Sequence, residues 1–207
     1  PDFAISDRSR WHGLAFPLTV DWIYPILTPE DKASIRTVFL RWAETNRTAY
    51  TTNNNHPEPV GVVNDPVLLA DRDYVRWSNN NYYAAHMRNM GLMALALDPT
   101  DEASGTLQQF LQEATGAWLY VIDDQMRTDV AGGLGDEGFE YTPQSTGYVA
   151  QFLLALYTAG EANPAKRGRQ VSVEEQPFWN DALRAYAHSL SPRPVTHEWY
   201  GQVYQPA

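Results

Sequence analysis

Apolar residues recur at helical spacing along most of this chain, and strand-like alternation of useful length is absent. Trp22, Ile23, Ile26 and Leu27 mark a helix over 14–27, interrupted by Pro17 and Pro25. Thr28-Pro29-Glu30-Asp31 then reads as a helix start, with Thr as cap, Pro at the first helical position and acids in the first turn. That helix runs to about Asn46, with Ile35, Val38, Phe39 and Trp42 on one side and Arg36, Arg41 and Glu44 on the wet face. Residues 47–75 lack a period and are rich in Asn, Pro and Gly, which predicts a long loop with one short helical turn. Helices are predicted over 79–97, closed by Asp98-Pro99, and over 101–127, striped by Phe110, Leu111, Ala114, Trp118, Val121 and Ile122. Residues 129–144 form a second loop, in which Gly132, Gly133, Gly135 and Gly138 allow unusual backbone angles. Helices over 145–159 and 173–190 follow, separated by a polar, basic linker over 160–172. The tail, 191–207, carries His197, Trp199, Tyr200 and Tyr204 without helical spacing. Five or six helices with long and short connections predict an all-α fold of antiparallel helical hairpins, with 1–207 as a single helical domain.

The densest chemistry lies in Arg76-Trp77-Ser78-Asn79-Asn80-Asn81-Tyr82-Tyr83-Ala84-Ala85-His86. Amide, phenol and imidazole groups crowd the start of a helix that is otherwise apolar from Met87 to Leu97. Asn79, Tyr83, His86 and Met90 share one helical face. A core helix whose mouth opens on a polar cleft fits this pattern. So does a plain N-cap by Asn79 or Asn80 with the tyrosines as rim packing.

Composition narrows the function. The net charge of −10 and the pI near 4.8 argue against a nucleic-acid binder, which needs a basic stripe, although a local basic pocket remains compatible with a polyanionic sugar. Seven Trp, twelve Tyr and seven Phe suit sites that stack hydroxyl-rich ligands, and equally suit the core of a helical bundle. With no Cys there is no disulfide, thiolate site or Cys nucleophile. No apolar run of about 18 residues is present. His12, His56, His188 and His197 lack ligand spacing, so no metal and no cofactor is expected. Ser104 and Ser145 lack a nucleophile-elbow context.

Three segments together resemble the (α/α) toroid proteins of the heparinase II/III and alginate lyase group. Leu18-Thr19-Val20-Asp21-Trp22-Ile23-Tyr24-Pro25-Ile26-Leu27-Thr28-Pro29-Glu30-Asp31 resembles their apolar helix with Asp-Trp followed by Leu-Ser/Thr-Pro-Glu. Asn79-Asn80-Asn81-Tyr82 through Leu97 resembles their Asn-bearing helix. Gly132-Gly133-Leu134-Gly135-Asp136-Glu137-Gly138, with Tyr148 to Ala159, resembles their glycine loop and inner helix. The order and spacing of these segments, which cover about half the chain, carry the resemblance. It implies a fragment or truncated form of a larger toroid, because a complete one has more helices than this chain supplies. The opening Pro1-Asp2 without Met fits a processed or excised piece.

The resemblance also implies a function: recognition of an acidic, uronate-containing polysaccharide and its eliminative cleavage, in a periplasmic or secreted setting. In such proteins an Asn, sometimes with an Arg, neutralises the uronate carboxylate. A Tyr or His takes the acidified proton, and a Tyr or His protonates the leaving oxygen. Here Asn79 or Asn80 would neutralise, His86 or Tyr83 would act as base, Tyr141 or Tyr148 as acid, and Glu137 would orient. Trp77, Asn81, Arg88, His197, Trp199 and Tyr200 complete the expected substrate contacts. Two alternatives stay open: a glycoside hydrolase using Glu137 with a second carboxylate such as Asp136 or Asp21, and a non-catalytic helical carbohydrate-binding or interaction domain.

Overall fold

The computed structural model describes residues 7–48, 64–172, 175–190, 197–199 and 202–204. Among the described residues the chain is all-α apart from one small hairpin. Its helices are α1 (Asp7–Ile23), α2 (Pro29–Thr48), α3 (Arg72–Trp77), α4 (Asn81–Leu95), α5 (Thr106–Gln112), α6 (Leu119–Arg127), α7 (Gly138–Thr158), α8 (Pro164–Arg167) and α9 (Phe178–Ser189). Strands β1 (His197–Trp199) and β2 (Gln202–Tyr204) pair antiparallel, with His197 opposite Tyr204. Among the described residues no helix is long and apolar enough to cross a membrane.

The start of α2 follows the sequence pattern. Thr28 Oγ1 accepts from the Asp31 amide at 3.2 Å, while Asp31 Oδ2 accepts from the Thr28 amide at 3.0 Å. The two contacts form a reciprocal cap at the N-terminus of α2. Elsewhere the boundaries move. The first helix begins at Asp7 and passes through Pro17, stopping only before the Pro25 turn. The helix expected to begin at Ser145 begins at Gly138 and runs through Pro143. The helix expected over 101–127 is three pieces: α5, a π-helical turn over Glu113–Trp118, and α6. A π turn holds one residue more than an α turn and frees carbonyls from the ladder. Here the Gly116 carbonyl accepts from the Asn64 amide at 2.7 Å, and the Thr115 carbonyl accepts from Gln170 Nε2 at 2.9 Å.

Helix α4 is the axis of the core. It packs against α1, α2, α5, α7 and the π turn, and every residue from Tyr83 to Ala94 is buried. Its closest neighbour is α7. A Cβ at Gly91 would lie 2.2 Å from the Phe152 ring, so only glycine permits this approach. Phe152 in turn stacks on Trp118, with ring centroids 5.9 Å apart. Burying aromatic side chains of this size contributes about 2–3 kcal/mol each.

Arg88, expected from the sequence as a substrate contact, lies inside this core at 1% exposure. Its guanidinium donates to Gln151 Oε1 at 2.7 Å, to the Arg10 carbonyl at 2.9 Å and to Asn89 Oδ1 at 2.8 Å, and it rests over the Tyr148 ring at 4.3 Å. Burial pushes its pKa down to about 10, so it keeps its charge at neutral pH. Its donors are taken up by the protein, which makes it a tie between α1, α4 and α7.

Candidate functional site

The N-terminus of α4 is assembled from three separate parts of the chain. Asn80 is its cap: Oδ1 accepts from the Tyr82 amide at 3.0 Å and the Tyr83 amide at 3.4 Å. The next free amide, that of Asn81, donates to Glu137 Oε2 at 2.8 Å. Asn80 Nδ2 donates to Glu137 Oε1 at 2.9 Å, and Ser145 Oγ donates to Glu137 Oε2 at 3.0 Å. Glu137 therefore completes the capping of a helix that begins 56 residues before it. Arg10, from α1, donates through Nη1 to Asn81 Oδ1 at 2.7 Å and covers the Tyr82 ring at 4.1 Å. Trp118 fixes the preceding turn from below, donating from Nε1 to the Ser78 carbonyl at 2.9 Å.

The glycine loop is held on its other side by α9. Gly133 has φ +92°, and a Cβ there would sit 2.2 Å from the Ala182 backbone nitrogen, so the loop lies directly on the α9 backbone. This contact delivers Asp136 and Glu137 to the mouth of α4. A cavity of about 220 Å³ results, lined by Arg76, Trp77, Asn79, Asn80, Asp136 and Glu137. Trp77 is 42% exposed and Asn79 only 4%. Behind the wall, fully buried Gln125 donates from Nε2 to the Arg76 carbonyl and to Asp136 Oδ2, each at 3.4 Å.

Burial raises the pKa of Glu137 above its ordinary value, outweighing the opposite pull of Ser145, the Asn81 amide, Arg10 and Asn80. The carboxylate that Asn80 meets thus belongs to the chain itself. Asp136 is the freer of the two carboxylates.

Of the residues expected from the sequence, Trp77, Asn79, Asn80 and Glu137 meet at this cavity, and the Asn81 backbone closes its floor through Glu137. Tyr141, 43% exposed, stands on the first turns of α7 beyond Glu137. His86 and Tyr83 are buried, at 3% and 4% exposure, and do not line the cavity. The helical face that carries them turns into the core one turn after the mouth, because Met87, Met90 and Met93 share the same wholly buried helix. Tyr148 is likewise buried, under Arg88. His197 and Trp199 fall on β1, where only the backbone is described, and Tyr200 lies outside the described residues. Asp21, the distant carboxylate of the hydrolase alternative, is on α1 away from this cavity. Sequence reasoning gave no role to Arg10, Gln125 or the Ser145 hydroxyl. Arg10 and Gln125 act through contacts with residues 71 and 49 positions away, whereas Ser145 meets Glu137 from the next turns of the same stretch of chain. Among the described residues no group of three or more His, Asp or Glu is placed to hold a metal.

Comparison of the chain with known families, with curated proteins and with solved structures finds no match.

Asn80 has two separable duties, which substitutions divide. Asn80→Ala removes the cap and the Glu137 contact and is expected to cost about 1–2 kcal/mol. Asn80→Ser keeps a capping oxygen and is expected to cost clearly less. Denaturant midpoints of the two variants check this, and equal losses would mean that capping is not what Asn80 contributes.

Proposed function

We propose that this chain recognises a polysaccharide at the α4 mouth, and that the polymer contains uronate. The observation carrying the reading is the meeting, in one cavity, of an exposed indole, two amide side chains, two carboxylates and a guanidinium. Indole faces stack on the C–H face of a sugar ring, and the polar groups around it match ring hydroxyls. Arg76, with its exposed guanidinium, is the group for a uronate carboxylate. In the eliminative version of this reading, Tyr141 is the exposed candidate for proton transfer, ahead of the buried His86 and Tyr83. The helices are read as hairpins of an (α/α) toroid like that of the heparinase II/III and alginate lyase group. In that arrangement the exposed apolar face of α7, with Leu154 and Tyr157, would be covered by further helices.

A second reading is hydrolysis, with Glu137 as general acid and Asp136 as the other carboxylate. What favours it is that burial moves the Glu137 pKa upward, the direction a general acid needs. Incubation with uronate polymers and with neutral polymers separates these readings. Elimination yields an unsaturated sugar that absorbs in the ultraviolet, hydrolysis yields reducing ends alone, and a binding domain yields only calorimetric heat. Tryptophan emission that changes on binding, and no longer does so in Trp77→Ala, is the expected result. A wild-type chain that gives none of these signals with any polymer would overturn the proposal.

A further inference from the structure

We infer that Asp136 determines which sugar the cavity accepts: its carboxylate takes a pair of neighbouring ring hydroxyls while the ring rests on Trp77. The inference rests on the carbohydrate reading above and narrows it.

The two carboxylates of the cavity are not equivalent. Both oxygens of Glu137 are engaged inside the protein, by Asn80, the Asn81 amide and Ser145. Asp136 is exposed, and Gln125 Nε2 meets only its Oδ2, through a long contact of 3.4 Å. Asn79 lines the same cavity, is more than nine-tenths buried, and its Oδ1 has no hydrogen-bond partner among the described residues. Asp136 therefore presents to the cavity a carboxylate with acceptor capacity to spare. A sugar ring supplies donors in that form. Two hydroxyls on adjacent carbons are spaced to meet the two oxygens of one carboxylate. Hydrogen bonds to an ionised acceptor are about twice as strong as neutral ones. A uronate carboxylate has no place beside Asp136, where like charges repel, and is left to Arg76. The cavity thus selects the diol, and the acid group is read separately.

Charge makes the test decisive in sign. The chain carries a net charge of −10, so removing the Asp136 charge should strengthen binding of an acidic polymer if Coulomb repulsion were its only effect. The inference requires the opposite. The whole chain is titrated calorimetrically with hexasaccharides of alginate, polygalacturonate, hyaluronan and cellulose, and with the ring-acetylated form of whichever binds. Asp136→Asn is expected to weaken that binding about tenfold, with an unchanged melting temperature, and wild type should fail to bind the acetylated form. Asp136→Asn binding as tightly as wild type, or more tightly, overturns the inference. So does wild-type binding of the acetylated sugar at undiminished affinity. Both outcomes leave the carbohydrate reading standing. Failure of wild type with every hexasaccharide overturns that reading and the inference together.

Discussion

Gly91→Val is expected to destabilise the protein by about 3 kcal/mol, a fall of roughly 10 °C in melting temperature for a chain of this size. The added Cβ meets Phe152 atoms at 2.2 and 2.4 Å. Phe152 is fully buried and stacked on Trp118, so its ring has no free space to enter. Overpacking, rather than lost contact, is the mechanism, and this gives the experiment its control. Phe152→Ala alone opens a cavity and should cost about 3–5 kcal/mol. In the double variant the valine occupies part of that cavity, so the pair should cost less than the sum of the two single changes. Denaturant unfolding of the four proteins measures the coupling. Strict additivity would show that α4 and α7 do not meet at these residues.

The second large effect is expected at Glu137. Glu137→Ala leaves Asn80 Nδ2, the Asn81 amide and Ser145 Oγ without their acceptor. Water reaches a half-buried site in part, so the loss should be about 2 kcal/mol. Glu137→Gln, which keeps one acceptor oxygen, should lose less.

The pH dependence follows from the raised pKa of the carboxyl. Starting from an ordinary value of 4.5, the folded chain holds the Glu137 proton more tightly than the unfolded chain does. Between the two pKa values the native state therefore binds more protons, and this residue's contribution to stability falls as pH rises through that window. Below the window the contribution is fully present, and above it is lost. Glu137→Gln removes the titration, so the stability of wild type relative to this variant should decline as pH rises above the ordinary carboxyl value. A difference that grows instead would mean that the three donors, and not burial, dominate the carboxyl.

Parts of this molecule can be read directly from its residues. Thr28-Pro29-Glu30-Asp31 starts a helix because its capping contacts are local. Asn80 caps α4 for the same reason. The break in the predicted 101–127 helix is invisible in sequence, because the apolar stripe from Phe110 to Ile122 continues through the π turn. The start of α7 is hidden by Gly138 and Pro143, residues that ordinarily argue against a helix. Arg88 is misread because charged side chains are rarely so deeply buried, and only its tertiary partners make that position tolerable. The sequence motifs name Asn80 and Glu137 as separate candidates. That they hydrogen-bond to each other across 57 residues depends on how the glycine loop lies on α9.

The π turn at Glu113–Trp118 gives the mouth of α4 an unusual dependence on chain length. In an α-helix each residue advances the side-chain direction by roughly 100°. One residue fewer in this turn would restore the common ladder and rotate Trp118 by that amount, carrying its indole N–H away from the Ser78 carbonyl. The same rotation would withdraw the Thr115 and Gly116 carbonyls from Gln170 and Asn64. The pose of Trp77 and Asn79 thus depends on a spacer that holds their segment through the Ser78 carbonyl between them. Selection on the cavity would act on the number of residues in this turn as strongly as on their identity.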